Sequence, residues 1–134
     1  MPEFRAPHEK SKYYVPWQTL QLVRTYCRMY PTWKREYDES AGLRNVTPGN
    51  GSGGIGDPTA SQAMRRKELS DRIDLIERTA VVAEGTIHNY LLLGVTQRHM
   101  TFDRLKALGM PCERDMYYDR RRKFYWLMAQ RLHL

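Results

Sequence analysis

Apolar residues recur along this chain at spacings of three and four, and no stretch shows the alternation of a strand. Tyr13, Trp17, Leu20, Val23, Cys27 and Tyr30 make the first such stripe. Leu22, Tyr26, Met29 and Trp33 add a second. A helix apolar on so wide a face is expected to meet the body of the protein on one side and a second chain on the other. Pro16 suits a first-turn position, where its missing N–H leaves no bond unmade. Pro31 is expected to kink or end the helix, with Trp33 to Tyr37 as a further turn.

The pattern then lapses. Residues 38–57 hold six of the nine glycines, a density that makes regular structure entropically costly, so they read as a linker. The linker divides an N-terminal amphipathic helix within residues 1–37, frayed over its first twelve, from a helical domain over 58–134. Asp57-Pro58 reads as an N-cap followed by proline at the first helical position. The helix it opens is expected to run to about Ala83, with Leu69, Ile73, Ile76, Ala80 and Ala83 inward. Glu68 with Arg72, and Asp74 with Arg78, are spaced as acid-first pairs four apart. Thr86 is placed to cap a short helix through Ile87, Tyr90, Leu91 and Leu93, which Gly94 closes as a left-handed stop. Thr101 caps another, carrying Phe102, Leu105 and Leu108, with Asp103 in its first turn where the dipole favours an acid. Gly109 ends that helix, Met110-Pro111-Cys112 makes a corner, and a last helix spans about Glu113 to Leu132. The fold class is therefore all-α, a small helical bundle without internal repeats.

Residues 101–132 thus read as short helix, glycine turn, long helix, the order of a helix-turn-helix, whose second helix enters the DNA major groove by its N-terminal portion. Met116, Tyr117, Phe124, Leu127 and Met128 are spaced to lock that helix to the body. Arg114, Tyr118, Arg121 and Arg122 are read as facing outward. Arginine grips guanine edges or phosphates in a bidentate way, and a tyrosine hydroxyl reaches phosphate. Arg121 and Arg122 are assigned to phosphate or base contact. Arg120 and Lys123 flank them or pair with Asp119 and Glu113. The same residues also fit a solvated basic helix in a purely structural bundle.

Charge supports an anionic partner. The net charge is +7, and the excess lies at the two ends: seven Lys/Arg against three acids in residues 1–37, and eight against four in 101–134. The interleaved Tyr117, Tyr118, Phe124, Tyr125 and Trp126 would suit stacking on single-stranded bases, but helical spacing places Phe124, Leu127 and Met128 in the core. His8, His88, His99 and His133 share no ligand spacing with one another or with Cys27 and Cys112, so no metal site is expected. The glycines from Gly49 to Gly56 lack the Lys-Ser/Thr of a phosphate-cradling loop. Asp71, Asp74 and Glu77 have basic neighbours and read as solvated ion pairs. No catalytic group and no cofactor are expected. No apolar run approaches a membrane span, and Met1 to Arg5 lacks the apolar run of a secretory signal, so a cytoplasmic protein with two reduced cysteines is expected.

Asp57-Pro58-Thr59-Ala60, Ile73-Asp74-Leu75-Ile76-Glu77, Gly94-Val95-Thr96 and the run from Met116 through Tyr117-Tyr118-Asp119-Arg120-Arg121-Arg122-Lys123-Phe124 to Leu127 resemble a group of small phage and prophage proteins of Gram-positive bacteria. The group includes late transcriptional regulators of the RinA and ArpU types, whose C-terminal part is similar to the sigma-factor region 4 fold. The resemblance covers roughly residues 13 to 130. It implies sequence-specific binding of double-stranded DNA at a phage promoter, and contact with RNA polymerase. It carries DNA contact onto Tyr117, Tyr118, Arg120, Arg121 and Arg122. The expected regulator is a homodimer. A DNA-packaging component of small-terminase type, and a helical module whose basic helix docks on an acidic protein, are the alternatives.

Overall fold

The computed structural model describes residues 11–44 and 58–134. Among the described residues six α-helices follow one another: α1 (Trp17–Arg28), α2 (Tyr30–Arg44), α3 (Pro58–Ala83), α4 (His88–Thr96), α5 (Phe102–Ala107) and α6 (Arg114–Arg131), with a 3-10 turn at Gly85–Ile87 before α4. No strand occurs among the described residues, so the chain is all-α.

Pro16 sits just outside α1, and its carbonyl accepts the first bond of the helix from the Leu20 N–H at 2.9 Å. Tyr13 and Val15 are buried ahead of the helix, with the Tyr13 ring 5.5 Å from that of Trp126. The break near Pro31 falls at Met29. There α1 ends and α2 begins, and the Trp33 N–H reaches back to the Met29 carbonyl at 2.9 Å. Pro31 therefore lies in the first turn of α2, where its missing N–H costs no helical bond.

One expectation about the middle of the chain needs correction. α2 continues to Arg44, through residues assigned to the linker. Its partner α3 holds it. Arg65 forks onto Glu36 at 2.7 and 3.1 Å, and Arg66 bonds the Tyr37 carbonyl and the Ser40 hydroxyl while lying over the Tyr37 ring. The N-terminal helices pack on the body of the protein, as their wide apolar face predicts. Leu20, Val23, Cys27 and Trp33 belong to the same buried cluster as Leu69, Ile73, Ile76, Leu91 and Phe124. The glycine-rich remainder of the linker, and the Asp57 cap, lie outside the described residues.

α3 is the central element, packing against α2, α4 and α6; α1 packs on α4 and α6. Its inner stripe is the expected one, and all five residues are buried. The acid-first pairing within it is replaced: Glu68 bonds Arg65, and Arg72 lies over the Trp33 ring. Thr79, fully buried, donates to the Leu75 carbonyl at 2.6 Å and accepts from Arg131 of α6 at 2.8 Å, so no polar atom of that hydroxyl is stranded. Both cysteines are buried and unlinked, and burial pushes the Cys27 thiol well up from its ordinary value.

Gly94 does not stop a helix. It lies inside α4, and a Cβ there would overlap the hydroxyl of Tyr117 from α6. The glycine is a seat for an aromatic ring, and through it α6 approaches α4 closely.

Candidate nucleic-acid interface

α5 is built as its sequence directs. The Thr101 hydroxyl accepts the Arg104 N–H at 3.3 Å, and Asp103 stands in the first turn. Phe102 and Leu105 point into the core. At the far end, Gly109 adopts φ 102°, a left-handed conformation that glycine takes without steric cost. The Gly109 N–H bonds the Lys106 carbonyl at 2.9 Å and the Met110 N–H bonds the Leu105 carbonyl at 3.1 Å, the two bonds of a Schellman cap. Met110 and Leu105, both buried, complete that cap. Cys112 is buried after the corner, and the Lys106 ammonium bonds its carbonyl at 3.1 Å. The corner between α5 and α6 is therefore rigid.

α6 leaves this corner with its first turn in solvent. Glu113, Arg114, Asp115 and Met116 are all exposed, as are Leu108 and Gly109 before them. Met116, expected to lock the helix, faces outward instead. The core contact of α6 starts at Tyr117 and continues through Arg121, Phe124, Tyr125, Met128 and Ala129.

The seven proposed contact residues separate into two sets. Tyr117 is fully buried, its ring 5.9 Å from Phe102 and its hydroxyl against Gly94, and burial pushes its pKa up. Arg121 is 8% exposed, with its guanidinium 4.7 Å from the centre of the Tyr118 ring and 5.8 Å from that of Tyr117. Neither side chain faces a duplex in this fold, and the assignment of both to DNA contact is corrected. The reason is spacing: Tyr117, Arg121, Phe124 and Met128 follow one another at four, three and four residues, so the arginine falls on the core stripe. Arg120 is tied down by Glu84 at 2.8 Å and by Asp119 at 2.7 Å. The Asp119 pairing was expected from the sequence; Glu84 was not. Glu84 sits where α3 gives way to the 3-10 turn and also accepts from the Thr86 hydroxyl at 2.8 Å. The Thr86 bond first, and Arg120 second, hold its carboxyl below the ordinary value.

The second set remains outside. Arg114 keeps half its side chain in solvent, lies 4.7 Å over the Phe102 ring and 5.9 Å over Tyr118, and meets Asp103 at 3.2 Å. Asp103 is itself largely solvated, so this pair contributes about 0–1 kcal/mol and yields readily to a stronger anion. Arg122 is partly exposed, 4.0 Å from Asp119, and Tyr118 and Lys123 are half-buried. Arg114, Tyr118 and Arg122 are four apart and form one column along the solvent-facing edge of the buried stripe of α6, with the Tyr118 ring itself packed against the core. Arg104 and Lys106, which sequence reasoning passed over, are exposed on α5 beside it. Their signal was present: both flank the buried Leu105, at positions that a helix turns outward.

Among the described residues no group of three or more histidines, cysteines or acids is placed to hold a metal ion, and no helix is long and apolar enough to cross a membrane. Comparison with known proteins finds no matching family model, no similar curated protein and no similar solved structure.

Proposed function

We propose that the chain binds double-stranded DNA, with α5 and α6 acting as a helix-turn-helix of the sigma region 4-like kind and the start of α6 lying in the major groove. One observation carries the reading. The outer column Arg114, Tyr118 and Arg122 stands on a helix whose entire first turn is exposed, beyond a rigidly capped corner. A recognition helix needs this geometry, because only side chains of its leading turns reach base edges. Arg114 is the base-reading or phosphate-gripping group. Arg122 and Lys123, with Arg104 and Lys106 of α5, supply phosphate contacts. Glu113 and Asp115 are acceptors of the kind that a cytosine amino group requires. Arg120 and Arg121 hold the helix in place and touch no DNA.

The proposal includes the regulatory role that the resemblance implies: a non-catalytic, cytoplasmic phage transcription regulator, working as a homodimer and meeting RNA polymerase at its promoter. The test is fluorescence anisotropy with a labelled mixed-sequence duplex and either of its single strands. The duplex is expected to bind more tightly than each strand, and Arg114→Ala to weaken duplex binding by about 1–3 kcal/mol if it grips a base edge. Equal affinity for strand and duplex, or an unaltered duplex affinity for the variant, contradicts the reading.

A further inference from the structure

A second basic site lies away from the α6 column. An open cleft of about 450 Å³ is lined by Thr25, Arg28, Met29 and Pro31 at the junction of α1 and α2, and by Thr96, Gln97 and Arg98 at the end of α4. Arg28 and Arg98 are both exposed. Among the described residues no carboxylate lies within 4.0 Å of either guanidinium. Arg24, one turn before Arg28, adds a third positive charge that acts on Arg28. Burial, and then the charges of Arg24 and Arg98, hold Arg28 below the ordinary guanidinium value, with Tyr125 opposing. One arginine near a helix C-terminus is accounted for by the macrodipole, at about 0.3–1 kcal/mol. Two that share a cleft and repel each other are not. His99, at φ 65°, bends the backbone immediately after Arg98. That conformation costs a non-glycine residue about 1–2 kcal/mol.

We infer that this cleft binds a phosphate group, held between the Arg28 and Arg98 guanidiniums with the Thr25 hydroxyl and the Gln97 amide as neutral donors. Planar guanidiniums present paired N–H groups to phosphate oxygens, so two of them can fork onto the oxygens of one phosphate group. The position suits a backbone phosphate of a bound duplex. Asp103, the partner of Arg114, stands five positions after Arg98, so their Cα atoms lie at most about 18 Å apart. That upper bound keeps the cleft within reach of the strands that flank a major groove about 12 Å wide. The duplex part of the inference rests on the proposed function; the phosphate site itself does not.

The experiment uses the whole chain and the Arg28→Ala/Arg98→Ala variant, both checked for unchanged helical circular dichroism. Inorganic phosphate is titrated while the arginine Nε–H and backbone amide resonances are followed by NMR. Saturable shifts of the Arg28 and Arg98 Nε–H groups and of the Thr25 and Gln97 backbone amides are expected in the parent chain, with the Thr25 and Gln97 shifts lost in the variant. Shifts spread equally over exposed arginines, or none, overturn the site. A mixed-sequence duplex is then titrated at several salt concentrations. A slope of log affinity against log salt shallower by about 0.9 in the variant, the value for one neutralised phosphate, shows that the phosphate is carried by DNA. An unchanged slope beside a positive inorganic-phosphate titration shows a site for a free phosphate or small phosphate ester, and overturns only the duplex part. If Arg114→Ala leaves duplex binding intact while the salt slope still responds to Arg28 and Arg98, the α6 reading fails and this site stands.

Discussion

Gly94 and Tyr117 constrain each other's identity. A methyl group at position 94 would occupy the space of the Tyr117 hydroxyl, so Gly94→Ala is expected to destabilise the fold by about 1–3 kcal/mol in urea unfolding. Tyr117→Phe removes the colliding oxygen and is expected to recover part of that loss, which a double-mutant cycle reads as a coupling between the two positions. A neutral Gly94→Ala would show that α4 and α6 do not approach as described. Arg121 and Arg122 are neighbours with opposite roles. Arg121→Ala removes a buried stem and a cation lying over two tyrosine rings, and about 1–2 kcal/mol of stability is expected to go with them. Arg122→Ala, on the surface, is expected to stay within about 0.5 kcal/mol. Equal effects of the two would contradict the division of α6 into inner and outer columns. The sequence already contained this division. Arg121 lies four residues after Tyr117 and three before Phe124, both of which hydrophobicity places inside. Its charge argued for the surface, and the two tyrosine faces that accept it are visible only once the helix is packed.

At the scale of elements, the ends of helices were the most legible feature. Thr101 and Gly109 mark boundaries that the structure shares, because each acts through its own hydroxyl or its own backbone. The extension of α2 to Arg44 was hidden for the opposite reason. It depends on Arg65 and Arg66, which are distant in sequence, and local propensity knows nothing of them. The Glu84–Arg120 bridge is similar: it joins the end of α3 to the middle of α6 across 36 residues. It also carries a pH dependence. The folded-state pKa of Glu84 is lowered, so the stability it contributes is fully present above the unfolded value, about 4.3, and is lost as pH falls through the folded value. Glu84→Gln is therefore expected to be less stable than the parent at neutral pH, with the gap closing below about pH 4. Thermal unfolding across pH 3–7 checks this, and a gap that widens in acid contradicts it.

At the scale of the molecule, one cluster of buried side chains takes residues from all six helices, and the long arginine-rich helix belongs partly to it. The all-α class and the C-terminal order of helices were readable from periodicity alone. The site was readable only in part. A run of four basic residues looks like one surface in a linear sequence, whereas a helix turns them through more than half its circumference. Folding sends Arg121 inward, gives Arg120 to Glu84, and leaves Arg122 and Lys123 toward solvent with Arg114 a little over two turns earlier. The Arg28–Arg98 cleft was invisible, since its two sides come from helices that meet only in the fold.

DNA contact by the outer column, and not by the whole arginine run, is measured most directly by the salt dependence of duplex binding in the Arg114→Ala/Arg122→Ala chain, with its helical circular dichroism verified. Weaker binding at every salt concentration is expected. The slope of log affinity against log salt should be shallower by about one for each phosphate that the two arginines no longer neutralise. Affinity and slope equal to those of the parent chain would mean that α6 meets no DNA through this face.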